Sequence, residues 1–232
     1  MLTVIADKVY DKYIEINDKN EIKHLVNVYR YKIGDKIRAI DYNYEYITEI
    51  DQISKSEVIL KIIEKNEDKY SLDVNIDLAI GILKNEKMKL LIQKLTELGV
   101  RNIIPLKTER VVVRIDEKKE KWDTIVKESM KQCRAIKRTN VELINEIKRL
   151  KYENYDIIIY AYENSISSVK LKDIINKDIK NILCIIGPEG GFSIDEIEYL
   201  KSKNAIEISL GNRILRAETA AISVVSTISN LI

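Results

Sequence analysis

The chain reads as an α/β protein, with a parallel sheet covered by helices on both faces over residues 73–232 and a small β-rich domain over residues 1–72. Three observations predict this. Residues 1–72 hold runs rich in β-branched residues and tyrosine at strand spacing. From residue 74 short apolar runs alternate with segments of helical periodicity, as in parallel strands joined by crossover helices. Hydrophobic residues make up 45% and charged residues 33%, enough for both a core and a solvated surface.

In order, the strands of the first domain fall in VIADKVYDKYIEI, DKIRAIDYNYEYITEI and EVILKIIEKN. Turn signals stand at 17–20 and at Gly34-Asp35, and residues 24–31 can form a helical turn. These features predict a β-barrel of about 70 residues. A strand at 76–83 then leads into EKMKLLIQKLTELG, where Met88, Leu91, Leu95 and Leu98 share a face and Gly99 stops the helix. Strands follow at 102–106, 156–161, 182–186 and 206–210. Helices are expected near 122–133, 169–175, 194–203 and 215–231.

Several classes are excluded early. No stretch reaches the roughly 20 apolar residues of a membrane span. The N-terminus lacks a basic region followed by an apolar run, so a cytoplasmic protein is expected. Cys133, Cys184 and the lone His24 form neither a zinc cluster nor a disulfide framework, and no metal is expected. Cys184 lies in an apolar run and reads as core. No G-x-S-x-G elbow is present.

Net charge is +2 but uneven: −3 over residues 1–75, +8 over 84–138 and −2 over 139–232. The basic stretch reads equally as a phosphate footprint or as solvated helix faces.

Glycine is scarce, with seven in all, yet Gly187, Gly190, Gly191 and Gly211 fall together near the C-terminus beside Pro188, one of two prolines. Glycine serves where backbone takes unusual angles or approaches a ligand closely. The loop Gly187-Pro188-Glu189-Gly190-Gly191 follows a buried-type strand, and Ser193 and Glu196 then form a capping box. On residues alone this is also an ordinary strand–turn–helix corner. It has neither the Walker lysine nor the G-x-G-x-x-G spacing, and its glutamate suits a cationic ligand better than a phosphate. The second element, Leu210-Gly211-Asn212-Arg213-Ile214-Leu215-Arg216-Ala217-Glu218-Thr219-Ala220, again runs from strand through glycine into helix. Glu218 there also reads as a plain helix-start charge.

Together, I-G-P-E-G-G-F-S and L-G-x-R-I-L-R-x-E-T-A resemble the two C-terminal motifs of the RsmE family of the SPOUT superfamily. Lys94 to Gly99 with Pro105, Glu109 and Arg110, Glu128 to Cys133, and His24 to Arg30 with Gly34-Asp35 are similar to further segments of that family. After Cys133 the family's arginine is displaced to Arg134 and its proline is missing.

The resemblance implies a PUA-like barrel at 1–72 and, at 73–232, a SPOUT domain with a trefoil knot over about 182–222. It implies S-adenosylmethionine as cofactor, held by Tyr162, Glu163, Gly187, Glu189, Gly190, Gly191, Leu210, Gly211, Ile214, Leu215 and Arg216. The implied reaction is methylation of N3 of a uridine in 16S ribosomal RNA, on the free RNA or the assembled small subunit. Arg216 is the catalytic candidate for charge on the base, and Glu218 either orients it or takes the proton. His24, Arg30, Lys84, Arg110, Arg134 and Arg138 are the RNA-binding candidates. A homodimer is implied, with the C-terminal helix either in its interface or in the core. The alternatives are a SPOUT enzyme with another RNA target and a non-catalytic RNA-binding protein.

Overall fold

The computed structural model describes residues 1–113, 115–163 and 169–232. They form two compact units, Met1–Ser71 with Met130–Arg138, and Leu72–Ser129 with Thr139–Ile232.

The first unit is a six-stranded sheet of β1 (Thr3–Ile5), β2 (Lys8–Val9), β3 (Tyr13–Ile16), β4 (Lys36–Ile40), β5 (Glu45–Ile53) and β6 (Val58–Asn66). Its order is β1-β4-β5-β6-β3-β2. The two edges, β1 and β2, are consecutive pieces of one stretch of chain. Pairing runs on between them through Ala6 N–H to the Ile40 carbonyl and Asp7 N–H to that of Glu15. The sheet therefore curls until its ends meet, which removes free edges. Val4, Ile14, Ile16, Ile37, Tyr46, Ile50 and Leu60 fill its interior.

Residues 17–20, a turn by composition, instead start helix α1 (Lys19–Lys23). The Asp18 carboxylate accepts hydrogen bonds from the backbone N–H groups of Asn20 and Glu21, so the turn residue is an N-cap. The helix continues as a π-helical turn, His24–Val28, and buries Ile22 and Leu25.

The unit also holds the segment Met130–Arg138, which lies outside the 1–72 boundary drawn from sequence. Buried Arg38 pairs with buried Glu45 and donates to the Arg134 carbonyl at 2.9 Å. Lys131 pairs with Glu21 at 2.6 Å. Residues 1–71 carry two more acidic than basic side chains, and 130–138 adds four basic and no acidic ones. The unit is thus net basic, where its first 71 residues alone are net acidic.

The second unit contains β7 (Asn75–Gly81), β8 (Asn102–Leu106), β9 (Asn140–Val141), β10 (Ile157–Ala161), β11 (Asn181–Ile186) and β12 (Ile206–Ile208). They form one sheet in the order β12-β10-β11-β7-β8-β9, and every pair is parallel. The helices are α2 (Asn85–Glu97), α3 (Lys121–Cys133), whose residues from Met130 on belong to the first unit, α4 (Leu171–Ile174), α5 (Ile194–Ser202) and α6 (Ala217–Leu231). Helix α6 packs on α2, α4, β11 and β7. Ile197 and Leu200 of α5 share a core cluster with Tyr160, Leu183, Ile185 and Phe192. The central strands are thus buried on both faces, and this explains their unbroken apolar runs. Cys184 is fully buried, as its apolar run predicts, and burial pushes its thiol well above the usual range. The two-residue β9 had no periodicity to reveal it.

The sheet's amino-terminal edge is pinned by Asp77, which is 1% exposed. Its carboxylate accepts two hydrogen bonds from Arg101 (2.8 and 2.7 Å), one from Tyr155 Oη (2.8 Å), and others from Asn102 at 3.0 Å. Replacing Asp77 by alanine strands those donors. With the Arg101 share discounted for that side chain's 40% exposure, the loss is about 2–3 kcal/mol. Calorimetry should show the unit's melting temperature lowered by about 4–12 °C.

Among the described residues no helix is long and apolar enough to cross a membrane. No group of three or more His, Cys, Asp or Glu among them is placed to hold a metal ion.

Candidate active site

The parallel sheet brings the carboxyl ends of β12, β10, β11 and β7 side by side, where open α/β sheets bind ligands. Three loops leave these ends: 162–163 after β10, 187–191 after β11 and 209–216 after β12. Together they line a cavity of about 800 Å³, within the range of small-molecule sites.

The loop after β11 is held by several devices. The Gly191 N–H donates to the Pro188 carbonyl at 3.0 Å, closing a turn that needs φ +70° at Gly191. Phe192, the chain's one phenylalanine, is fully buried and anchors the loop in the core. Ser193 and Glu196 form the expected capping box. The other Glu196 oxygen accepts from the Glu109 N–H at 3.0 Å and draws the 107–111 loop alongside. A Cβ at Gly190 would stand 2.7 Å from the Arg110 carbonyl oxygen, and one at Gly81 would stand 2.5 Å from Pro188. These glycines are demanded by close backbone approach. At Gly211 the demand is conformational, since φ is +110° and the space beside it is open.

The cavity wall includes Tyr162, Glu163, Gly187, Glu189, Gly190, Gly191, Leu210, Gly211, Ile214, Leu215 and Arg216. Every residue singled out from sequence for a cofactor pocket therefore lies on one surface. Arg216 is the N-cap of α6, and its exposed guanidinium has no hydrogen bond or ion pair among the described residues. Glu218 is not on the wall. It is 8% exposed, and its contact is with Lys87 at 3.8 Å rather than with Arg216.

The six RNA-binding candidates divide between the units. His24, Arg30, Arg134 and Arg138 are exposed in the first, Arg30 and Arg134 with φ of +59° and +62°. Lys84 and Arg110 are exposed in the second, both against the 187–191 loop. The Lys84 N–H lies 3.5 Å from Glu189 Oε1.

Sequence reasoning missed Lys87. It lines the cavity from the first turn of α2 and pairs with Glu189 Oε1 at 3.2 Å. One lysine among 39 Lys and Arg residues gives no signal of its own.

Buried oxygens test what the cavity can hold. Glu189 Oε2 and Glu218 Oε2 are buried and have no hydrogen-bond partner among the described residues. A buried carboxylate oxygen without a donor is unfavourable. Glu189 lies on the wall, and Glu218, off the wall, adds its negative charge through their shared neighbour Lys87, so the wall suits a ligand bearing N–H donors or positive charge, with flat parts that glycine backbone can cover. S-adenosylmethionine has these properties, and the residues present fit it.

Comparison with known proteins agrees with this chemistry. The RNA methyltransferase domain family matches residues 70–229, and the RNA methyltransferase PUA domain family matches 16–63. A Bacillus subtilis protein named ribosomal RNA small subunit methyltransferase E is 32% identical over 222 residues, covering 90% of this chain and 87% of that protein. A protein of the same name from Buchnera aphidicola is 33% identical and covers 95% of this chain and 94% of its own length. A solved Legionella pneumophila structure, described as a methyltransferase with the cofactor SAM bound, superposes with a TM-score of 0.86 at 28% identity, covering 99% of this chain and 97% of its own.

Proposed function

Because the chain belongs to the ribosomal RNA small subunit methyltransferase E family, built of an RNA methyltransferase domain and a PUA domain, we propose that it methylates N3 of a uridine in 16S ribosomal RNA. It is an S-adenosylmethionine-dependent ribosomal RNA methyltransferase. The observation that carries the reading is the cavity wall that both glycine-bearing motif loops share, with an exposed arginine among its lining residues.

When bound, S-adenosylmethionine supplies a methyl group on a positively charged sulfur. The residues of this chain would do the rest. Gly190 and Gly191 let backbone close on the ligand, while Leu210, Ile214 and Leu215 cover its apolar parts and Tyr162 and Glu163 close the third side. Gly187 shapes the turn that presents Glu189. Arg216 would meet the base, and its fork of N–H donors would hold the negative charge that develops when N3 gives up its proton to solvent water at this exposed position.

The RNA contact is read onto exposed basic residues of both units. The positive charge that segment 130–138 brings to the barrel supports Arg134 and Arg138, beside His24 and Arg30, as phosphate contacts. Lys84 and Arg110, at the cavity loop, would hold backbone next to the reacting base. The implied knot over about 182–222 goes with α6 packing across β11 and β7. The buried face of α6 favours its core role, while exposed Leu90 and Leu231 leave apolar surface for the homodimer. The assembled small subunit in the cytoplasm is the proposed substrate and setting.

Calorimetric titration with S-adenosylmethionine and with ATP tests the pocket. Binding of the first and not the second is expected. Binding of ATP in preference would overturn the reading.

A further inference from the structure

Lys87 enters the cavity wall between two carboxylates. Its Nζ stands 3.2 Å from Glu189 Oε1 and 3.8 Å from Glu218 Oε2. The second oxygen lies beyond hydrogen-bonding distance, and it and Glu189 Oε2 are buried without a donor among the described residues. Two carboxylates and one ammonium sum to −1. The carboxylate side chains are 18% and 11% exposed, so solvent screens them weakly. The other charged groups on the wall, Glu163, Arg213 and Arg216, are exposed and well screened. Buried charge therefore dominates the field inside the cavity, and it is negative.

We propose that the Lys87–Glu189–Glu218 cluster sets the preference of the cavity for a sulfonium over a neutral thioether, that is, for S-adenosylmethionine over S-adenosylhomocysteine. This rests on the cavity being the cofactor site. Methyl transfer turns the sulfonium into a neutral thioether and so removes the positive charge on sulfur. The same cluster that draws the cofactor in then loses its grip on the product, and exchange follows. Lys87 has two effects here. It holds Glu189 of one motif loop near Glu218 of the final helix, and it trims the local charge from −2 to −1. A unit charge several ångströms away in a half-buried site changes affinity by about tenfold or more.

The signs of the charge changes make the test. Calorimetry would measure both ligands on the wild type, Glu189→Gln, Lys87→Gln and Lys87→Arg. Glu189→Gln takes the cluster to zero charge. It should lower S-adenosylmethionine affinity by about tenfold and S-adenosylhomocysteine affinity by less than about threefold. Lys87→Gln takes the cluster to −2, so its preference for the sulfonium should equal or exceed the wild type's. Lys87→Arg should keep the wild-type preference. Normal binding of S-adenosylhomocysteine shows in each variant that the pocket is folded. Equal weakening of both ligands by Glu189→Gln, or a preference lowered by Lys87→Gln, would overturn the proposal. A wild type that binds neither ligand would instead overturn the cofactor reading beneath it.

Discussion

Arg216→Ala is expected to reduce methyl transfer by about 10²–10³-fold, the usual loss when one donor to a developing anion is removed. Cofactor affinity should stay within about threefold, because the Arg216 guanidinium is exposed and makes no hydrogen bond or ion pair among the described residues that would hold the cavity wall in place. Arg216→Lys keeps the charge but not the planar fork, and should recover only part of the rate. Single-turnover kinetics on cofactor-saturated enzyme would separate the two effects. Lost cofactor binding in the alanine variant would make Arg216 a pocket residue instead.

Gly190→Ala should abolish detectable cofactor binding, a loss of at least about 100-fold. The added Cβ would meet the Arg110 carbonyl at 2.7 Å, and backbone cannot swing aside as a side-chain tip can. Either the motif loop or the 107–111 loop must move, and the cavity wall moves with it. Gly34→Ala is the control. Gly34 has φ +91° but open space beside it in the first unit. It should lose about 1–2 kcal/mol of stability and leave cofactor affinity unchanged. Titration calorimetry and thermal melts on the two variants would check both expectations. Wild-type affinity in Gly190→Ala would show that the close approach does not shape the pocket.

The contrast between these sites and Lys87 shows what a sequence can disclose. Gly187, Gly190, Gly191 and Gly211 stood out because the chain has only seven glycines, and because each motif follows a strand and opens a helix. Scarcity and context together made the two loops legible. The parallel sheet was legible for a similar reason: β10 and β11, covered on both faces, are continuous apolar runs. Lys87 had no such mark. Its partners are remote in sequence, and only the fold brings α2 beside the 187–191 loop and the first turn of α6. The attachment of Met130–Arg138 to the barrel was hidden in the same way, since it depends on Arg38 reaching a carbonyl 96 residues away. Asp18 illustrates a different limit. Asx residues serve turns and helix N-caps alike, so composition at 17–20 left open which one the chain would form.

The most direct test of the account is transfer of a labelled methyl group from S-adenosylmethionine to small ribosomal subunits that lack the modification, with the product nucleoside identified by mass spectrometry. One N3-methyluridine per 16S ribosomal RNA is expected, formed about 10²–10³-fold more slowly when Arg216 is alanine. Methyl on a ribose 2′-oxygen, or no transfer by a sample that binds the cofactor, would contradict it.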